Sequence, residues 1–87
     1  EDKLYPVVTL DKDNKVLMQA FLNAKALAKT FETGYAHYFS RSRNSIWFKG
    51  ESSGNTQKII KVEMQLNKNF FIYLVHQNLA ACHEGYY

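Results

Sequence analysis

At 87 residues the chain has room for one small domain and no second core. An apolar share of 46% and an aromatic share of 15% exclude a chain disordered by composition, and no apolar run approaches the roughly 20 residues a membrane-spanning helix needs. The net charge of +3 suits an anionic ligand and is too weak by itself to argue for nucleic acid.

One cysteine, Cys82, leaves no internal disulfide and fits a reducing, cytoplasmic setting. No secretory-leader pattern opens the sequence. Residues 1–87 read as one domain, and a core this small gains from pairing with a second copy.

Leu4 to Leu10 is β-prone, and Pro6 places it near a sheet edge or a strand start. Asp11 to Lys15 is polar and turn-like, and Val16 to Leu22 resumes an apolar strand, so the two runs predict a hairpin. Asn23 reads as a helix N-cap. Ala24, Leu27, Ala28 and Phe31 then recur at helical spacing as one apolar stripe, and Gly34 is placed to end the helix.

Tyr35 to Ser40 predicts a short aromatic strand, Ser45 to Phe48 another, and Lys49 to Thr56 a loop rich in glycine and serine. Ile60, Val62, Met64 and Leu66 alternate with Lys61, Glu63 and Gln65, the period of a half-buried strand. Asn67-Lys68-Asn69 reads as a tight turn, and Phe70 to Val75 as a central strand closing the longest hairpin. The fold class is α+β: a small, mostly antiparallel sheet with one main helix.

Between two of these hydrophobic runs lies a mixture a core does not need: Ser40-Arg41-Ser42-Arg43, Trp47, Lys49-Gly50-Glu51 and Ser53-Gly54. Arginine binds phosphate through two parallel bonds, and Arg41 and Arg43 would share one face of an extended chain. Lys49 adds a point charge, and the Ser52 to Gly54 segment offers backbone N–H groups to an anion. The plainer reading is a basic edge that discourages sheet aggregation. Glu51 suits a general base, a ribose acceptor or a surface ion-pair partner. Trp47 suits stacking on a base, although a lone strand tryptophan more often belongs to a core.

Cys82-His83 is a second candidate, a thiolate beside an imidazole, suited to zinc or to proton transfer at a zinc-bound water. One cysteine and one histidine do not complete a zinc site. His37 and His76 read as ordinary half-buried histidines.

Val16-Leu17-Met18, the Asn23 helix, Glu32-Thr33-Gly34, the Ser40–Arg43 quartet, Trp47, Lys49-Gly50-Glu51, Ser53-Gly54, Gln57 and Ala81-Cys82-His83 stand in the order and spacing of one family. Together they resemble phosphoribosyl-AMP cyclohydrolase along nearly the whole chain. The resemblance implies an enzyme of histidine biosynthesis that opens the adenine ring of phosphoribosyl-AMP by hydrolysis between N1 and C6. It also implies zinc and magnesium as cofactors, an intertwined homodimer with zinc ligands from both subunits, and a small nucleotide as substrate. Carried onto this chain, it makes Arg41, Arg43, Trp47, Lys49, Glu51, Ser53 and Gly54 substrate-binding, Cys82 a zinc ligand and His83 catalytic.

One stretch departs from the family. Where its members carry Asp-Cys-Asp-x-Asp, this chain has Gln65, Leu66, Asn67, Lys68 and Asn69. Three carboxylates are replaced by amides and a thiolate by an isobutyl group, which weakens the expectation of magnesium and zinc. By family spacing a last zinc cysteine falls just beyond Tyr87. A metal-depleted relative that binds a nucleotide or sugar phosphate therefore stands as the alternative. A nucleic-acid module built on Tyr38, Phe39, Trp47 and Phe48 is disfavoured by the mild charge.

Overall fold

The structure, a computed structural model, describes residues 3–65, 67 and 69–78. In chain order these form β1 (Tyr5–Leu10), β2 (Val16–Leu22), α1 (Ala24–Thr33), β3 (His37–Ser40), β4 (Ser45–Phe48), β5 (Gln57–Gln65) and β6 (Phe70–Gln77). The six strands make one sheet in the order β4-β3-β2-β1-β6-β5. Only β1 and β6 run parallel; every other neighbouring pair is antiparallel. The α+β architecture and the mostly antiparallel sheet agree with the sequence.

The β1–β2 hairpin turns on Asp11, whose Oδ1 accepts from the backbone N–H of Asp13 at 2.8 Å and of Lys15 at 3.0 Å. Pro6 stands at a strand start and not at an edge, because β1 has partners on both sides. Pairing with β6 begins only at Val7, one residue past the missing N–H.

The helix ends follow the sequence closely. Asn23 Oδ1 accepts from Ala26 N at 2.8 Å, and Gly34 takes φ +81° while its N–H donates to Thr30 O. The buried face is not the predicted stripe, however. Ala26 and Thr30 are buried and Leu27 is half-buried, whereas Ala24, Ala28 and Phe31 are exposed, Phe31 at 65%. A polar contact decides this: Thr30 Oγ1 bonds the Tyr73 hydroxyl at 3.0 Å and accepts from His37 N at 2.9 Å. These bonds turn α1 so that threonine faces the sheet.

Along β5 a bulge breaks the predicted alternation. The register slips between Ile59 and Lys61, so Ile59 and Val62 both reach the core while Ile60 and Met64 lie about half exposed. The sheet also curls. The start of β5 returns to the chain just before β3, where Ala36 N donates to Gln57 O at 2.9 Å and Ile59 N to Gly34 O at 2.8 Å. The core sits inside this curl: Val7, Leu22, Ala26, Ala36, Tyr38, Phe71, Tyr73 and Val75. On the outer face Val8, Leu10, Ile72 and Leu74 stay half-covered.

Candidate functional site

Four residues, 41–44, form the turn between β3 and β4, since Ser40 pairs with Ser45. Ser40 Oγ accepts from Arg43 N at 3.3 Å, and Asn44 takes φ +52° to close the turn. Arg41 and Arg43 are therefore in a turn and do not share a face as they would in a strand. The Arg41 guanidinium lies over the Phe21 ring, 4.8 Å from its centroid, on β2. Arg43 instead lines an open cleft of about 230 Å³ with Trp47, Lys49, Gly50, Glu51, Ser52 and Ser53. A larger groove of about 570 Å³ runs past Leu4, Asn23, Phe39 and Asn44, but it holds none of the predicted site residues.

Trp47 bridges core and cleft. It is half-buried against Tyr38, with ring centroids 5.6 Å apart, and its ring also forms part of the cleft wall. Lys49 follows it at 8% exposure, with Nζ 5.9 Å from the Trp47 centroid. Among the described residues no carboxylate pairs with it. Burial pushes its pKa below the usual lysine value, because the ammonium has lost water without gaining an anion. A bound phosphate would supply that missing charge. Glu51 is exposed beside it and forms no ion pair among the described residues.

The loop after Lys49 has little freedom in composition. Gly50 sits at φ +91°, and a Cβ there would stand 2.5 Å from Thr56 N and 2.6 Å from Asn55 C, both backbone atoms. Several loop amides are engaged internally: Glu51 N to Phe48 O, Gly54 N to Gly50 O, and Asn55 N to Ser53 Oγ. Gly54 thus has no free N–H for an anion and does not line the cleft; its φ of +82° shapes the loop instead. Ser52 and Ser53 keep N–H groups that no described acceptor takes.

A polar chain anchors this loop, and three of its members, Thr9, Gln77 and Asn78, escaped the sequence reading. Tyr38, fully buried, bonds Thr9 Oγ1 at 2.6 Å and donates to Gln57 Oε1. Gln57 Nε2 donates to Gln77 Oε1 at 2.9 Å. Gln77 and Asn78 then hold the loop carbonyls. The available signal was a glutamine, Gln57, opening an apolar strand. Gln77 and Asn78 have no local sequence signature, because their side-chain bonds to Gln57 and to the loop carbonyls of Gly54, Asn55 and Thr56 span 20 to 24 residues.

His37 is buried, stacks on Phe48 at 4.9 Å and bonds Tyr35 O through Nδ1, a structural role. His76 is exposed where a half-buried side chain was expected. Cys82 and His83 lie outside the described residues, as do Leu66 and Lys68.

The family model for phosphoribosyl-AMP cyclohydrolase matches residues 18–87. The chain belongs to the phosphoribosyl-AMP cyclohydrolase family. It is 52% identical over 84 residues to a phosphoribosyl-AMP cyclohydrolase of Leptospira interrogans, covering 97% of this chain and 45% of that protein. It is 49% identical over 86 residues to one of Methanocaldococcus jannaschii, covering 99% of this chain and 68% of that protein. The histidine biosynthesis bifunctional protein HisIE of Aquifex aeolicus is 47% identical over 87 residues, covering 98% of this chain and 42% of that protein. The chain thus spans between two fifths and about two thirds of the length of these three relatives.

The resemblance would imply divalent metals, and the far turn between β5 and β6 is where this chain's donors can be judged. Gln65, Asn67 and Asn69 present neutral amides, and Gln65 Nε2 stands 3.5 Å from Glu63 Oε1. Amide oxygens coordinate but do not neutralise a divalent charge, so this donor set does not fit magnesium. Leu66 offers zinc no donor atom. Among the described residues no three His, Cys, Asp or Glu side chains converge.

Proposed function

We propose that the protein carrying this chain is a phosphoribosyl-AMP cyclohydrolase of histidine biosynthesis, acting on a small nucleotide in the cytoplasm. Water adds at C6 of the adenine ring and the N1–C6 bond breaks. The single observation that carries the reading on the structural side is Lys49: a buried lysine whose ammonium has no described counter-ion, on the wall of a cleft it shares with Arg43. Arg43, Lys49 and the N–H groups of Ser52 and Ser53 bind a ligand phosphate. Glu51 accepts from a ribose hydroxyl, and the exposed part of Trp47 offers a surface to the base. His83, by its family position, moves a proton at the ring. No step is assigned to a metal, because the amide donors at the far turn do not suit one.

The protein acts as a homodimer in this reading. Gln65 and Gln57 stand at opposite ends of β5, about 25 Å apart at a strand's usual rise. A site that used both ends would have to take them from two copies. The exposed Phe31, Ile60 and Met64 and the half-covered outer face of β1 and β6 give a second copy apolar surface to cover.

A second reading is favoured by the same far turn: a relative that keeps the nucleotide or sugar-phosphate site and does not turn substrate over. Ring opening followed by ultraviolet absorbance, on the whole protein with and without EDTA and alongside elemental analysis, separates the two. Ring opening by the whole protein supports the enzyme, and turnover that survives the chelator agrees with a site whose far-turn amides hold no metal. Tight AMP binding without turnover, unchanged by EDTA, supports the silent relative.

A further inference from the structure

Gln77 closes β6 with a side chain that makes four hydrogen bonds. Its Nε2 stands 3.0 Å from Asn55 O, 3.2 Å from Thr56 O and 3.2 Å from Asn78 O, and its Oε1 accepts from Gln57 Nε2 at 2.9 Å. Two amide hydrogens are thus shared among three carbonyls. Gln57 has 0% exposure, and its own oxygen accepts from the Tyr38 hydroxyl. The donor order is therefore fixed, from Thr9 through Tyr38, Gln57 and Gln77 to the loop. Turning either amide over would set donor against donor or oxygen against oxygen. One residue on, Asn78 N donates to Thr56 O at 2.8 Å and Asn78 Nδ2 to Gly54 O at 3.0 Å.

Three consecutive carbonyls, those of Gly54, Asn55 and Thr56, are thus held from the end of β6. The opposite side of the same loop carries Gly50 to Ser53, which line the cleft. Gln77 does not line it. Its influence on a ligand must pass through the loop.

We propose that Gln77 is a positioning residue of the phosphate site, with Asn78 as its auxiliary. By fixing the second half of the loop it presets where the Ser52 and Ser53 N–H groups and the Lys49 ammonium face. A ligand then binds without first ordering the loop. The same clasp joins the loop to the strand that leads, in sequence, to Cys82 and His83. This rests on the reading of the Arg43–Lys49 cleft as a phosphate site.

The test is calorimetry on the whole protein with two probes, AMP and adenosine, which differ by the phosphate alone. Gln77→Ala removes all four side-chain bonds, so AMP affinity falls about tenfold while adenosine affinity stays within about twofold. Gln77→Glu keeps the shape and turns an oxygen toward the carbonyls, so its AMP loss is larger. A folded Gln77→Ala protein that binds AMP like the parent overturns the proposal, and so does an equal loss for both probes, which marks general loosening. If Gln77→Ala does not fold, Asn78→Ala decides. Its side chain is exposed and gives up one bond, and it should weaken AMP about threefold with adenosine unchanged; no loss overturns the proposal. Arg43→Ala and Lys49→Met serve as controls. If neither weakens AMP, the phosphate reading itself has failed; if both do and Gln77→Ala does not, only the positioning role falls.

Discussion

At one end of the β5–β6 hairpin Arg43 and Lys49 line a cleft whose loop is tied to the sheet through Gln57, Gln77 and Asn78. At the other end the described residues of the turn, Gln65, Asn67 and Asn69, carry neutral amides, with Asn69 N bonding back to Gln65 O. Both ends lie where the resemblance led us to expect function. The first has kept a charge in a place where charge is costly, a buried lysine whose ammonium no described carboxylate offsets. The second offers no carboxylate among its described residues, Gln65, Asn67 and Asn69, to neutralise a divalent ion. Binding an anion in the cleft would offset that cost, and the described residues of the far turn carry no comparable one.

Gly50→Ala should do most to break the ligand end. The alanine methyl would run into the Asn55–Thr56 peptide, and the positive φ adds strain, so the loop must open. The expected cost is about 2–3 kcal/mol, read as a lower urea midpoint, together with loss of AMP binding. An unchanged midpoint would mean the loop does not run as described.

Lys49→Met sharpens the contrast by separating stability from binding. AMP affinity should fall at least about tenfold, the loss expected for one charge-assisted bond. Stability should rise or hold, since the desolvated charge is gone. The pH dependence has a definite sign. With a folded pKa below the ordinary 10.5, charged Lys49 carries a penalty that is full below the folded value and fades as pH rises toward the unfolded one. Parent stability should therefore climb with pH through the alkaline range below about 10, and the variant should lose that climb. Above that range Tyr73, pushed up to about 12 by burial, works in the opposite direction: its contribution is full below 10.0 and is lost as pH rises through the folded value. Equal pH slopes for parent and variant would contradict the buried-charge account.

The two arginines divide the ligand end more finely. Arg43→Ala should weaken AMP about tenfold, with little change in stability. Arg41→Ala should leave AMP within about twofold and cost at most about 1 kcal/mol of stability, the worth of an exposed cation–aromatic contact. Equal AMP losses would restore the paired-arginine expectation that the hairpin turn displaced.

Local signals in the sequence were reliable. The Asn23 cap, the Gly34 terminus, the Asp11 turn and the Ser45–Phe48 strand could all be read because each depends on neighbours within a few residues. What failed depended on distant partners. Phe31 lost its place in the core to Thr30 because a tyrosine 43 residues away could receive a threonine hydroxyl. Ile60 was displaced by a bulge that only pairing with β6 reveals. In the candidate site, Lys49, Trp47, Glu51 and Ser53 came together as their spacing suggested, while Arg41 left for Phe21.

The smallest effect tests whether the two ends are independent. Asn69 holds φ +56°, a conformation asparagine tolerates and alanine resists. Asn69→Ala should therefore lower stability by about 1 kcal/mol, read from thermal or urea melting. AMP affinity should not change, because about 25 Å of strand separates this turn from the cleft and no ligand of nucleotide size reaches both within one copy. A dimer alters that expectation in one specific way: if the turn of one copy lies over the cleft of the other, AMP affinity will shift with protein concentration in the parent and shift further in Asn69→Ala. A change in affinity that did not depend on protein concentration would show that the ends are coupled through the hairpin itself, and the contrast drawn between them would no longer hold.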